Sequence, residues 1–156
     1  MIRTALASTL ALCCLSTATP ALAEDTPTLP IVSDPIYMKP VRLVDVDHGR
    51  RINLYCTGSG SPAVIFDSGL NDSTIAWAFV QPAISKTNMA CSYDRAGLGN
   101  SDPQTRPGTA SNDVDDIHKA LQIVGVKPPY ILVGHSAGGM AVRLFADRYR
   151  DEVVGM

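Results

Sequence analysis

Val133-Gly134-His135-Ser136-Ala137-Gly138-Gly139 follows the apolar run Tyr130-Ile131-Leu132-Val133 and opens a helical pattern beginning near Ala137. A strand that turns sharply into a helix at Gly-x-Ser-x-Gly throws its serine into a strained backbone conformation. The hydroxyl is then exposed above the sheet, with the helix N-terminus just behind it. Gly134 and Gly138 are required because a Cβ at either position would collide across so tight a turn. Alone the pentapeptide is a weak signal. Set between a β-rich tetrapeptide and an amphipathic helix, it is a specific one.

The surrounding composition is that of an ordinary globular chain. The 156 residues are 46% hydrophobic and 18% charged, with a formal net charge of -2. There is no basic excess to suggest nucleic acid and no polybasic membrane patch. The first residues stand apart. Arg3 gives a short positive start, Leu6 to Leu15 is apolar, and Pro20 precedes Ala21-Leu22-Ala23, an A-x-A cleavage site before Glu24. Residues 1–23 are therefore expected to be a secretory signal peptide. Its apolar run is too short to span a membrane as a helix of the mature chain. A lipoprotein signal acylated at Cys13 or Cys14 is the alternative, weakened by the lack of a good lipobox. The expected location is outside the cytoplasm, periplasmic or secreted.

Residues 24–40 are rich in Pro, Thr, Ser and Asp and predict a flexible lead-in. Val41 to Asp47 and Ile52 to Cys56 each alternate apolar and polar around Asp47-His48-Gly49-Arg50, a β-hairpin with Gly49 at positive φ and His48 as a solvated turn residue. Thr57 to Pro62 is a glycine-rich loop with no Gly-Lys-Ser/Thr after it, which excludes a phosphate cradle. Ala63-Val64-Ile65-Phe66-Asp67 predicts a buried parallel strand, running into a sharp turn at Ser68 to Asp72 and a helix over Trp77 to Lys86, with Pro82 in its first turn or kinking it. Met89 to Tyr93 is the next strand. It ends in Asp94-Arg95-Ala96-Gly97-Leu98-Gly99, which is not a dinucleotide fingerprint because Asp102 stands where the third glycine belongs. Asp94 and Arg95 are expected to fasten this loop. Thr109 to Val124 carries Val114, Ile117, Leu121 and Val124 at helical spacing, stopped by Gly125, with His118 at its boundary. The last helix, from Ala137 to about Arg150, is expected to turn Met140, Ala141, Leu144, Phe145 and Tyr149 inward, and Val153 to Met156 starts a strand.

A hairpin followed by three strand-helix units implies an α/β fold with helices on both faces of a mainly parallel sheet. In it Cys56 and Cys91 fall on neighbouring strands of a chain bound for an oxidising compartment. They are either a disulfide, which this favours, or two buried small side chains, and spacing alone does not fix the geometry.

With the Ser136 turn and the Asp94 to Gly99 loop both in place, residues 41–156 resemble the α/β-hydrolase superfamily, more narrowly the secreted or periplasmic bacterial esterase-like and lipase-like serine hydrolases. The resemblance implies Ser136 as the nucleophile attacking a small-molecule acyl substrate. The backbone N–H of Ala137 and that of Leu70 are implied as oxyanion donors, with Asn71 as the alternative to Leu70. Such donors contribute roughly 3–4 kcal/mol each. Ser68-Gly69 stands where many relatives have His-Gly. A serine rather than an aspartate nucleophile argues against the dehalogenase and epoxide-hydrolase branches. No cofactor and no metal are implied.

The family's triad runs Ser, then Asp or Glu, then His along the chain. After Ser136 the acids are Asp147, Asp151 and Glu152, and no histidine follows. His135 adjoins the serine, but alternate side chains at such an elbow point apart. The expectation is a partial α/β-hydrolase domain, residues 41–156, ending after the nucleophile helix, truncated at its C-terminus and inactive or incomplete as it stands. It would leave an apolar sheet edge, a template for self-association. The other readings are a non-catalytic remnant or binding module, and an acyltransferase using the same serine.

Overall fold

The computed structural model describes residues 30–156; the expected signal peptide and most of the expected lead-in lie outside the described residues. Six strands form one sheet: β1 (Leu43–Asp47), β2 (Arg50–Thr57), β3 (Ala63–Asp67), β4 (Ala90–Tyr93), β5 (Tyr130–Gly134) and β6 (Val153–Gly155). Their spatial order is β1-β2-β4-β3-β5-β6. The β1/β2 hairpin is antiparallel and β2 joins β4 antiparallel, while β4/β3, β3/β5 and β5/β6 are parallel. The hairpin turn holds His48 at φ 46° as well as Gly49 at φ 94°, the two positive φ values that match the twist of paired strands.

The fully buried pattern of β3 and β4 follows from cover on both faces. Helices α2 (Ala110–Val124) and α3 (Ala137–Arg148) cover one face, where Val114, Ile117, Leu121, Val142 and Phe145 meet Ile52, Leu54, Ile65 and Leu132. On the opposite face Val64 and Phe66 pack with Trp77, Ile84, Ile131 and Val133. The Thr109 hydroxyl caps α2 by accepting from the Asn112 N–H at 3.3 Å, and Gly125 ends it at φ 80°.

Three expectations are corrected. The helix expected over Trp77 to Lys86 is a 3-10 turn, Thr74–Trp77, followed by a four-residue helix α1, Gln81–Ile84. Pro82 has no N–H to donate back along a continuous helix. Gln81 is also fully buried, with its amide donating to the Tyr55 and Ala90 carbonyls and accepting from the Ser92 hydroxyl, so the segment is pinned flat on the sheet. In α3, Met140 is 65% exposed, while Leu144 and Tyr149 pack partly buried against the core as expected, and the fully buried stripe is Gly138, Ala141, Val142 and Phe145. The stripe is rotated because Gly138, the residue that approaches the sheet most closely, sets the face. Within the lead-in, Pro35–Met38 forms a 3-10 turn that buries Tyr37 edge-on against Tyr55.

The Cys56 and Cys91 sulfurs are bonded, on residues directly opposite in the β2/β4 register. Beyond β5, β6 is a short outer strand with Val154 and Met156 exposed.

Candidate active site

The turn between β5 and α3 is built around Ser136, whose backbone lies at φ 53°, ψ -117°. Only glycine occupies that region without strain, so the serine is held there by its surroundings. Three contacts do the holding. The His135 N–H donates to the Asp67 carbonyl at 3.0 Å, and the Gly138 and Gly139 N–H groups donate back to the His135 and Ser136 carbonyls at 2.9 Å each. A Cβ on Gly134 would stand 2.7 Å from Gly138 backbone atoms, and one on Gly138 would stand 2.7 Å from the Asp67 carbonyl carbon. Both glycines are thus required where the sequence placed them.

Ser136 is exposed, and among the described residues its hydroxyl has no hydrogen-bond partner. The loop after β3 comes up beside it: a Cβ on Gly69 would lie 3.7 Å from Ser136 Cβ and 3.1 Å from His135 Nδ1. The histidine ring therefore sits against the Gly69 backbone, and it makes no hydrogen bond to the serine. Asn71 at φ 58° and an Asp72 N–H donating to the Gly69 carbonyl at 3.3 Å fold this loop into a turn. Among the described residues no acceptor pairs with the N–H of Leu70 or of Ala137. Leu70, Leu98, Ala137 and Met140 line a cavity of about 200 Å³ whose polar wall includes Arg95 and Asp113. Met140 is exposed because it faces this cavity.

Beneath the turn lies a buried polar cluster that the sequence pattern does not reveal. Asp67 is 4% exposed, and its carboxylate accepts from the Tyr93 hydroxyl at 2.7 Å and from Arg95 Nη1 at 3.2 Å. Arg95 Nη2 donates to the Ser68 carbonyl at 2.8 Å and also to the Gly69 carbonyl. Arg95 thus fastens the loop after β3 and not, as expected, its own. Asp94 does hold its own loop, accepting from the Asn100 N–H at 2.9 Å, and ties it to Asn53 and to the Thr74 N–H. Burial pushes the Asp67 carboxyl up to about 6, with the nearby Asp113 adding to the rise and Tyr93 and Arg95 opposing it. Burial also raises Asp113, and burial followed by the Asp67 charge raises the Tyr93 phenol well above its ordinary value. The one signal of this cluster in the sequence is a carboxylate closing the otherwise apolar strand Ala63 to Phe66.

The other histidines lie elsewhere. His48 is fully exposed at the hairpin tip, and His118 stacks on Tyr149 at 3.6 Å and hydrogen-bonds Glu152. Among the described residues no group of three or more metal-ligating side chains is gathered.

Residues 62–156 match the family model of the alpha/beta hydrolase fold. The chain belongs to the α/β-hydrolase fold family. Its mixed six-stranded sheet corresponds to the N-terminal part of that fold. It is 38% identical over 99 residues to the probable transporter efuK of Hormonema carpetanum, covering 60% of this chain and 14% of that protein. It is 32% identical over 84 residues to the putative carbamate hydrolase RutD of Caulobacter vibrioides, covering 53% of this chain and 31% of that one. Among solved structures, Est816, described as an N-acyl homoserine lactone degrading enzyme, superposes with a TM-score of 0.67 at 24% identity, over 73% of this chain and 43% of Est816. The α/β-hydrolase chain thus spans less than half the length of each.

Proposed function

We propose that this chain carries the nucleophile and the oxyanion site of a serine hydrolase that cleaves a small carboxylic ester or related acyl bond through an acyl-enzyme on Ser136. The observation that carries this reading is the conjunction at Ser136: a hydroxyl on a strained backbone, the loop after β3 packed beside it at Gly69, and N–H groups of Ala137 and Leu70, two residues lining one cavity, that have no acceptor among the described residues. Unpaired donors beside a nucleophile are what the oxygen of a tetrahedral intermediate needs. The likeness to a putative carbamate hydrolase is consistent with acyl chemistry. Without a hydrogen-bonded base a serine hydroxyl is a poor nucleophile. None of His48, His118 and His135 is bonded to Ser136, so the 156 residues alone are proposed to turn over slowly or not at all. Export from the cytoplasm belongs to the same proposal. It is supported by the signal-like residues 1–23 and the Cys56–Cys91 bond. Pairing of the outer edge of β6 with another chain is proposed on the exposure of Val154 and Met156.

The test is intact-mass spectrometry of the native protein after treatment with a fluorophosphonate probe. A single adduct mapping to Ser136, formed slowly and absent from Ser136→Ala, is expected. Labelling at another residue, or none after prolonged exposure, overturns the reading.

A further inference from the structure

Neither the serine nor its two donors accounts for the ion pair buried beneath them. Arg95 leaves the end of β4, crosses to the loop after β3, and spends its guanidinium on three groups: the Asp67 carboxylate and the carbonyls of Ser68 and Gly69. Its side chain is 9% exposed. The carbonyl and N–H of one peptide unit lie in a single rigid plane and point in opposite directions. A guanidinium that fixes the Gly69 oxygen therefore fixes the direction of the Leu70 N–H, pointing it away from Arg95. Gly69 makes such a fixture necessary. It has no Cβ, since the His135 ring stands 3.1 Å from where one would be, and glycine permits the adjoining peptide to rotate through half a turn at little cost. That rotation would put the Gly69 carbonyl oxygen where the donor belongs and make the site repel an oxyanion.

We propose that Arg95 is a positioning residue for the oxyanion site: anchored on Asp67, it holds the Ser68 and Gly69 carbonyls so that the Leu70 N–H is directed at the substrate oxygen on Ser136. The inference rests on Ser136 being the nucleophile. Arg95 touches no reacting atom and acts through the peptide it holds. Its anchor is charged only while Asp67 is ionised. The groups facing that carboxylate are Tyr93 and Arg95 from β4 and the loop after it, and Asp113 from α2. Burial lifts the carboxyl to about 6, so the anchor weakens as the pH falls through that value.

The native protein is compared with Arg95→Gln, Arg95→Lys and Asp67→Asn. The first readout separates the limiting rate of fluorophosphonate labelling from the probe concentration at half-saturation. Arg95→Gln should lower the limiting rate about 100-fold, the loss expected for one oxyanion donor, and leave half-saturation unchanged. Arg95→Lys keeps the charge but not the fork, and should fall between. The second readout is amide exchange of Asp72, whose N–H donates to the Gly69 carbonyl, relative to amides in α2. Exchange corrected for its intrinsic rate should rise at least tenfold in Arg95→Gln. In the native protein it should rise as the pH falls through about 6, and in Asp67→Asn it should be flat. An unchanged limiting rate, or an unchanged Asp72 amide, overturns the proposal. A native protein that takes no label overturns the role of Ser136, and the exchange of Asp72 then decides alone whether Arg95 holds the loop.

Discussion

Gly138 stands against Asp67 so closely that a Cβ on it would lie 2.7 Å from the Asp67 carbonyl carbon, and this contact sets both the height of α3 over the sheet and the inward face of the helix. Gly139, the next residue, has nothing within 4 Å of its own notional Cβ. The two glycines therefore make opposite predictions. Gly138→Ala must push backbone from backbone and should destabilise by about 3 kcal/mol or more. Gly139→Ala meets open space on a helix and should stabilise by about 1 kcal/mol. Urea midpoints of the two variants check this, and a similar loss in both would remove the steric account.

The backbone of Ser136 provides a second comparison. At φ 53°, ψ -117° any residue with a Cβ is strained, whereas glycine is not. Ser136→Gly should be more stable than Ser136→Ala by about 1 kcal/mol, after allowing for glycine's greater freedom in the unfolded chain. Both variants lose the hydroxyl, so their difference in thermal unfolding reads the strain less glycine's unfolded-state freedom. A Ser136→Ala variant more stable than Ser136→Gly, by about the 0.4–1 kcal/mol usual at an unstrained site, would mean that the turn imposes no conformation on residue 136.

What the sequence disclosed here was whatever is encoded locally. Gly134 and Gly138 bracket one tight turn, and Thr109 and Gly125 bracket one helix, so neighbours in the chain carry each signal. The segment around Gln81 reads as helix by composition, but its shape is decided by acceptors on β2 and β4 that no local pattern reveals. Met140 has helical spacing for the core, yet the close approach of Gly138 rotates α3 and leaves it facing the cavity. Arg95 reads as part of its own loop because its partners, Asp67 to Gly69, lie a whole strand-helix unit earlier. Contacts across the sheet, not along the chain, assemble the site.

A longer stretch of sequence separates Arg50 from Asp116, which meet in two hydrogen bonds of 2.7 Å. The side chains are 2% and 4% exposed, so hairpin and α2 are joined through a charge pair withdrawn from water, with Arg106 also on Asp116. Asp116→Leu leaves the buried Arg50 charge with only Asp47, at 3.7 Å, as an acidic partner and should cost roughly 3–5 kcal/mol. Replacing both, as Arg50→Met with Asp116→Leu, should recover much of that loss. Denaturant unfolding of the single and double variants tests the claim, which a double variant weaker than Asp116→Leu would contradict.

The Asp67 carboxyl carries the last prediction. Burial raises it from an ordinary value of 3.8 to about 6, despite Tyr93 and Arg95. Between roughly pH 4 and pH 6 the folded protein therefore binds more protons at this residue than the unfolded chain does. The contribution to stability is fully present below the unfolded value and is lost as the pH rises through about 6, after which it is flat. Its size is about 3 kcal/mol from the shift. The amide that Asp67→Asn introduces does not titrate, so the stability of the native protein minus that of Asp67→Asn should grow in favour of the native protein by about that amount between pH 7 and pH 4. Urea unfolding across that range measures it, and a difference independent of pH would show that this carboxyl titrates like an exposed aspartate. At neutral pH the fold thus keeps a charge that weakens it. The group that needs that charge is Arg95, and through Arg95 the loop beside Ser136.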